Sequence, residues 1–361
     1  MLYSADCLQR FARDIFLKMG ASREQAREAA NVLNAADLRG VDSHGVARLS
    51  GYVRLWEKQR LKAAPSVKIV HETPSTAVMD GDQGAGLMVA PEAMRTAINK
   101  AKNAGTGWVA IRNSNHYGIA GYHAMLALEH DMIGISMTNA SPLVSPTFSK
   151  SRLLGTNPIA VAIPALKQPP YVIDMATTPA ANGKLEVLHR SGDTIPEGWA
   201  QDKEGHATTD AEALKKGGAM LPLGSDRVHG SHKGYCLGSM VDIFSAVLSG
   251  ANYGPWVPPF VAFLEPPADP VGEGIGHFVG AMRIDAFRPA QAFKEHMDNW
   301  IEAFRNAEPV DPGQKVLIPG DPERELEQER LANGVPLQEQ VVKDLTELGE
   351  KMGVPFDGYD R

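Results

Sequence analysis

Residues 39–52, RGVDSHGVARLSGY, concentrate residue types that bind anions and move protons. Asp42, Ser43, His44 and Arg48 fall within seven positions there. A guanidinium offers a rigid fork for a carboxylate, and an imidazole is the usual group for proton transfer near neutral pH. The alternative is that Asp42 and Ser43 cap the next helix while His44 lies at the surface. This segment alone leaves both interpretations open.

A second polar cluster follows the apolar run WVAI, in the segment VAIRNSNHYGIAGYHA. His116 comes directly after Asn113, Ser114 and Asn115, between a predicted strand and a predicted helix. Catalytic groups of α/β proteins collect at the carboxyl ends of strands, which favours a functional role for His116. The alternative is Asn/Ser turn chemistry with an incidental histidine. His123, farther into the predicted helix, is interpreted as structural.

The usual glycine fingerprint of dinucleotide binding, G-x-G-x-x-G, is absent from the sequence. The segment DGDQGAGLMVAPEAM has Gly81, Gly84 and Gly86 at the wrong spacing, and we interpret it as a turn that enters a helix. Composition and periodicity alone therefore do not indicate a dehydrogenase.

The net charge of −7 argues against a nucleic-acid partner, since binding a phosphate backbone requires a clustered basic surface. Cys7 and Cys236 lack metal-ligand spacing, so we expect two packed thiols and no metal site. The start MLYSADCLQRF does not resemble a signal peptide, and no apolar run is long enough for a membrane span. We expect a cytoplasmic protein without a membrane partner.

The first 60 residues are predicted to be helical. One helix has Ser4 as its N-cap and stops at Gly20, and the next starts with a capping box of Ser22 and Gln25 and runs to Gly40. From about residue 65, short apolar runs separated by Gly, Pro and Asn indicate strands that alternate with helices, which is an α/β pattern. The strand order stays open. These runs are VKIV, WVAI, IGISM, IAVAI and YVIDM.

Residues 186–216 are polar and turn-rich, and we expect a surface hairpin or loop there. The segment CLGSMVDIFSAVLSG has apolar residues at helical spacing and is predicted to be a core helix, with Asp242 either buried beside a partner or facing solvent. The remaining chain is predicted to contain a strand HFVGAMRI, a helix over 290–307, a strand KVLIPG, a polar helix ending near Gly334 and a short tail.

A series of motifs along nearly the whole chain resembles the type 2 malate/L-lactate dehydrogenase family. In order, the motifs are RGVDSHGVARL, RNSNHYGIAGY, LLGTNPIAVAIP, VIDMATT, Gly183-Lys184, HKGY, VDIFSAVLSGANYG and IPGDPE. The resemblance implies a family-specific mixed α/β sheet that binds NAD or NADP, unlike the common Rossmann fold, in a homodimer. It divides the chain into a helical region at 1–75 that packs with the C-terminal part, a cofactor-binding domain at 76–270, and the rest of a substrate and dimer domain at 271–361.

The resemblance also assigns roles to individual residues. His116 and His44 are the two candidates for acid/base catalyst, with Lys233 and Asp174 as further catalytic candidates. For Lys233 the alternative is a solvated surface charge. Arg48 would hold the substrate carboxylate, supported by Ser43 and Tyr52. The residues implied to contact the cofactor are Asn139, Thr156, Asn157, Pro158, Asp174, Met175, Ala176, Ile318, Pro319 and Gly320.

The sequence departs from the usual family pattern in three places. Phe148, Ser149 and Lys150 stand where a glycine pair is usual, Cys236 replaces a glycine, and Asp321 replaces a glutamate. No departure removes a candidate catalytic group.

The sequence therefore predicts an NAD(P)-dependent oxidoreductase that transfers a hydride between nicotinamide and a small 2-oxo or 2-hydroxy acid. The alternative within this class is a reductase of cyclic imino acids, of the piperideine-2-carboxylate type, or a ureidoglycolate-type dehydrogenase. Outside the class, a catalytically inactive binding protein has no chemical reason to retain both histidines, Arg48 and Lys233. A metal-dependent hydrolase lacks the HxH or HExxH spacing that it needs.

Overall fold

A computed structural model describes residues 1–262 and 264–356 of the chain. Its N-terminal region is helical, with α1 at Ala5–Met19, α2 at Arg23–Leu38 and α3 at Leu49–Glu57. The Ser4 hydroxyl accepts a hydrogen bond from the Cys7 N–H at 3.1 Å, and the capping box at the start of α2 is formed. Gly20 ends α1 with φ of 104°, a conformation that glycine adopts at little cost. The predicted caps are confirmed.

The strands and the other helices alternate along the rest of the chain. The strands are β1 Leu2–Tyr3, β2 Lys68–Glu72, β3 Thr76–Gly84, β4 Thr106–Ser114, β5 Met132–Thr138, β6 Ile159–Ile163, β7 Tyr171–Met175, β8 Ala200–Gln201, β9 Ala207–Thr208, β10 Ala219–Met220, β11 Ile275–Arg283 and β12 Val335–Pro336. The helices after α3 are α4 Gly86–Ala104, α5 Ala120–Met125, α6 Asn182–Ser191, α7 Ser231–Asp242, α8 Ala290–Arg305, α9 Asp321–Asn333 and α10 Glu339–Met352.

Within the described residues, seven strands form the main sheet in the order β2-β3-β4-β11-β5-β6-β7. The β3–β4 pair is parallel, and the other neighbouring pairs are antiparallel. This mixed sheet confirms the predicted fold class. Strand β11 lies at the sheet centre although it comes from residues beyond 270, so the sheet is not built from 76–270 alone.

The N-terminal helices and the C-terminal end share one core. Phe11 of α1 packs edge-on against Phe356, and Leu345 and Leu348 of α10 belong to the same buried cluster. The sequence predicted a short tail after Gly334, and that prediction is wrong because α10 occupies most of it. The prediction of a strand at KVLIPG is also wrong, since no strand forms at 315–320.

Residues 186–216 are only partly the predicted surface hairpin. Strands β8 and β9 pair as an antiparallel hairpin, but residues up to Ser191 belong to α6. Strands β8, β9 and β10 form a three-stranded sheet that packs with α6 as a small lobe. This lobe has its own core, which includes Leu185, Ile195 and Ala200.

The predicted core helix at 236–250 is helical but has an exposed apolar side. After α7, a π-helical turn continues over Ile243–Val247. Ile243, Phe244, Val247 and Leu248 are 51%, 39%, 52% and 58% exposed, so the prediction of a fully core helix is wrong for these positions. Helical spacing identifies an apolar face but not what covers it. On the other side, Asp242 is buried, and accepts from the Asn139 amide and the Gly254 N–H.

Cys236, on α7, is also exposed, which corrects the expectation of a packed thiol there, whereas Cys7 is buried. The described part of the chain contains no helix with the length and apolar character of a membrane span.

Candidate active site

The loop between α2 and α3 presents three candidate side chains as one unit. Two short 3-10 turns, Asp42–His44 and Val46–Arg48, shape this loop. The Ser43 hydroxyl lies 2.9 Å from Nδ1 of His44, and Nε of Arg48 donates to the Ser43 carbonyl oxygen at 2.5 Å. A movement of this loop would therefore displace the imidazole and the guanidinium together.

His116 follows β4 by two residues and lies against this loop. Its ring stacks on the His44 ring with 5.5 Å between centroids and 24° between planes. Nδ1 of His116 accepts from the Gly118 N–H at 3.3 Å and lies 2.6 Å from the Tyr52 hydroxyl. Because a backbone N–H can only donate, Nδ1 is an acceptor and the neutral ring carries its proton on Nε2.

Burial makes both rings weak bases. Desolvation, and secondarily the positive charge of Arg48, lowers the pKa of His44 to about 4. Desolvation lowers the pKa of His116 well below its usual value, with further contributions from His44 and Arg48. Both imidazoles are therefore neutral near pH 7.

Phe260 completes this cluster and was not found from the sequence. Its ring centroid lies 4.7 Å from that of His116 and 5.1 Å from that of Tyr52, and the Arg48 guanidinium carbon lies 6.0 Å from it. A Cβ at position 51 would come within 2.7 Å of this ring, so Gly51 makes room for it. No motif marks Phe260, which reaches the site from the connection between α7 and β11.

A cavity of about 600 Å³ opens beside the loop, a size typical of small-molecule sites. Apolar side chains, including Ile119, Val172, Leu188 and Trp199, form much of its wall. Arg39, Lys184 and Glu323 are also in the lining. Of the residues predicted for substrate, catalysis or cofactor, the lining includes Ser43, His44, Thr156, Pro158, Asp174, Met175 and Ala176.

Asp174, at the end of β7, is exposed in this cavity and held by α5. Its Oδ2 accepts from the Gly121 N–H at 2.8 Å, and a Cβ at Gly121 would lie only 2.6 Å from that oxygen. Desolvation by the surrounding protein raises its pKa to about 6, although this hydrogen bond acts in the opposite direction. Within the described residues its carboxylate does not bond to either histidine.

Other predicted residues lie outside the lining. Lys233 is exposed in the first turn of α7. Asn139 is buried and its amide bonds Asp242 and the carbonyl of Asn252. The Asn157 amide accepts from the Ala140 N–H and donates to the Gly238 carbonyl.

The segment at Ile318, Pro319 and Gly320 packs behind the cavity wall. The Pro319 carbonyl accepts from the N–H of Val172, a residue of the lining. Gly320 has φ of 94°, which favours glycine.

The family model for malate/L-lactate dehydrogenase matches residues 3–346. The chain belongs to the malate/L-lactate dehydrogenase family. This membership confirms the predicted family and the prediction that the chain is a dehydrogenase, and it implies a nicotinamide cofactor.

Several relatives are similar to the chain over nearly its whole length. Malate dehydrogenase of Pyrococcus horikoshii is 42% identical, over 97% of this chain and 95% of its own. L-sulfolactate dehydrogenase of Methanocaldococcus jannaschii is 38% identical, over 96% of each. The crystal structure of malate dehydrogenase from Entamoeba histolytica superimposes with a TM-score of 0.91 at 35% identity, covering 98% of this chain and 99% of that one.

Proposed function

We propose that this dehydrogenase transfers a hydride reversibly between NADH or NADPH and a small 2-oxo acid, giving the 2-hydroxy acid. The observation that carries the proposal is the loop that stacks His44 on His116, holds Arg48 by the Ser43 carbonyl, and contributes Ser43 and His44 to the wall of the 600 Å³ cavity. A carboxylate-binding group, proton-transfer groups and space for a cofactor thus lie together.

The cavity is lined by the kinds of side chain that a nicotinamide dinucleotide needs, apolar surface for its rings and cations for its diphosphate. Flat rings would find apolar surface at Met175, Leu188 and Trp199, and the cations Arg39 and Lys184 would attract the diphosphate. The bound nicotinamide would donate or accept the hydride at the substrate carbon. We assign cofactor contacts to Thr156, Pro158, Asp174, Met175 and Ala176, because these residues line the cavity.

Asn139, Asn157 and the segment 318–320 then support the wall from behind, since their polar groups are engaged within the protein. Lys233 receives no substrate contact in this proposal, because it is exposed outside the lining and, within the described residues, makes no hydrogen bond or ring contact with His44, Arg48 or His116.

Arg48 binds the substrate carboxylate. Its Nε is engaged by the Ser43 carbonyl, which leaves the two terminal nitrogens of the fork for a bidentate contact. Tyr52 does not reach the carboxylate directly, because its buried hydroxyl is engaged by His116.

The two histidines take different parts. His116 presents Nε2–H and would polarise the substrate oxygen as a neutral donor, because the Gly118 N–H at Nδ1 disfavours a second proton there. His44 has a serine hydroxyl at Nδ1, which can donate or accept and so tolerates both protonation states. We therefore assign the transferred proton to His44. A bound carboxylate would offset the charge of Arg48 and raise the pKa of His44 toward neutrality.

We further propose a homodimer through the exposed apolar face of the π-helical turn, formed by Ile243, Phe244, Val247 and Leu248. Exposed contiguous apolar surface of this kind marks interaction sites. A second copy of the chain would bury this face.

Titration of the purified protein with NADH and with NADPH, followed by nicotinamide fluorescence and calorimetry, tests the cofactor assignment without turnover. Saturable binding of one of them is expected. A Trp199→Ala variant should bind more weakly, because the cavity loses an aromatic wall. Absence of saturable binding of both dinucleotides would remove the basis of the proposal.

A further inference from the structure

Helix α9, near the C-terminus, lies against the loop that carries Ser43, His44 and Arg48. Arg39 pairs with Glu327 of this helix at 3.2 Å. Gly40 has φ of +77° and leaves space for Leu326, whose Cδ1 would lie 2.5 Å from a Cβ at position 40. The backbone around residue 40 therefore follows the surface of α9.

Arg330 of the same helix also contacts this loop, through a side chain that is only 10% exposed. One terminal nitrogen, Nη1, donates both to the Asp37 carbonyl oxygen and to Oδ1 of Asp42, and Nη2 lies 3.4 Å from Oδ2 of Asp42. The guanidinium thus joins the last turn of α2 to the residue immediately before Ser43.

Asp37 secures the other side of the same loop. Its Oδ2 accepts from the Val46 N–H at 2.9 Å, and a Cβ at Gly45 would lie 1.8 Å from its Oδ1. The segment from Asp42 to Val46 is therefore fixed at one end by Arg330 and at the other by Asp37. Ser43 and His44 lie between these two points.

We propose that Arg330 is a positioning residue of the reaction, which acts through Asp42 to hold Ser43, His44 and Arg48 in register with His116. Arg330 is not in the cavity lining, whereas Asp42 is. Effects on catalysis would thus pass through the loop and not through contact with substrate or cofactor. This inference rests on the proposed function for its kinetic test, but not for its structural test.

The test compares Arg330→Met with a matched control, Arg283→Met. Arg283 makes the same kinds of contact far from the cavity, a two-nitrogen pair with Asp285 and a bond to the Lys102 carbonyl, at 2.7 Å each. We expect Arg330→Met to lower kcat/KM for the 2-oxo acid by about 10-fold or more, because small displacements of catalytic groups are costly. The Kd of the reduced cofactor should change less than about two-fold, and Arg283→Met should keep near wild-type kinetics.

A double-mutant cycle separates positioning from general destabilisation. In a His44→Ala background, Arg330→Met should cause a smaller loss of kcat/KM than in the wild type, because His44, one of the three groups that it positions, is already absent. Equal losses in both backgrounds, or wild-type kcat/KM in Arg330→Met, would overturn the proposal. If Arg330→Met does not fold, Asp42→Asn replaces it as the test variant. Asp42→Asn should also lower kcat/KM, and an unchanged kcat/KM would contradict the proposal.

Hydrogen exchange measured by mass spectrometry supplies the test that needs no turnover. The backbone amide hydrogens of residues 40–48 should exchange faster in Arg330→Met, or in Asp42→Asn, than in the wild type. In Arg283→Met they should exchange at the wild-type rate. Unchanged amide hydrogen exchange would overturn the positioning role of Arg330 even if the wild type proved inactive. An inactive wild type with the accelerated exchange would instead contradict only the proposed reaction.

Discussion

The phenolic oxygen of Tyr52 lies 2.6 Å from Nδ1 of His116, on the side of the ring that also accepts the Gly118 N–H. Burial raises the pKa of Tyr52, so its hydroxyl stays protonated and can donate. Both neighbours therefore favour the tautomer with a proton on Nε2. This relationship gives His116 one defined function, donation to the substrate oxygen.

Tyr52→Phe removes the stronger of these two contacts and keeps the aromatic packing. We expect kcat to fall by about 10-fold, because the preferred tautomer becomes less populated, with a stability loss of about 1 kcal/mol for the missing hydrogen bond. Steady-state kinetics and urea unfolding measure the two effects. An unchanged kcat would contradict the tautomer assignment.

Phe260→Ala opens the wall beside His116 and Arg48. The variant should process a small 2-oxo acid such as pyruvate more slowly, and its preference for a bulky one such as phenylpyruvate should rise by about 10-fold, since the removed ring leaves space. The ratio of kcat/KM for the two substrates is the measurement. A loss that is equal for both would show that Phe260 only stabilises the fold.

Buried His277 predicts a pH-dependent stability. It contacts Ser114 and Thr138 at 2.8 and 2.7 Å, and desolvation lowers its pKa to about 3. The unfolded chain binds this proton near pH 6.5, so stability is present above that pH and is lost as pH falls toward 3.

Between pH 7 and pH 5 the free energy of unfolding should therefore fall by about 2 kcal/mol more in the wild type than in His277→Gln. This figure follows from about 1.4 kcal/mol for each pH unit below the unfolded pKa. Comparing the two proteins cancels the contributions that other groups make to the pH dependence of stability. Asp37 is one of these groups: burial raises its pKa to about 8, so its contribution has the opposite sign. Parallel urea curves at both pH values would be inconsistent with a buried neutral His277.

Val247→Glu tests the proposed dimer interface. The charge should convert a dimer to a monomer in size-exclusion chromatography with light scattering, because a buried unpaired carboxylate is costly. Val310→Glu is the control, at a fully exposed valine elsewhere. A wild type that is already monomeric, or a Val247→Glu protein that remains dimeric, would argue against this interface.

The sequence predicted the local features of the fold well. The caps at Ser4 and Ser22 and the strands from VKIV to YVIDM depend on neighbouring residues and follow known rules. The insertion of β11 between β4 and β5 could not be predicted, because strand pairing across more than a hundred residues leaves no local pattern. The exposed side of the helical segment after Asp242 could not be predicted either, since periodicity does not reveal what covers an apolar face.

For the site, the two histidine segments were identified because family-like motifs surround them. Their contact through stacked rings is a tertiary fact that neither motif contains. Phe260 was missed because a phenylalanine between a pair of prolines and a valine has no chemical signature. Arg330 was missed for a similar reason, since an arginine on a polar helix usually faces solvent.

The proposed reaction is tested by consumption of reduced nicotinamide by the wild type, His44→Ala and His116→Ala with a panel of 2-oxo acids and cyclic imines. Absorbance of NADH and of NADPH reports each reaction. We predict saturable turnover of at least one 2-oxo acid by the wild type, and a loss of about 10²-fold in kcat in each variant with cofactor Kd nearly unchanged. Wild-type turnover that survives in both variants, or no turnover of any 2-oxo acid with either cofactor, would contradict the proposed function.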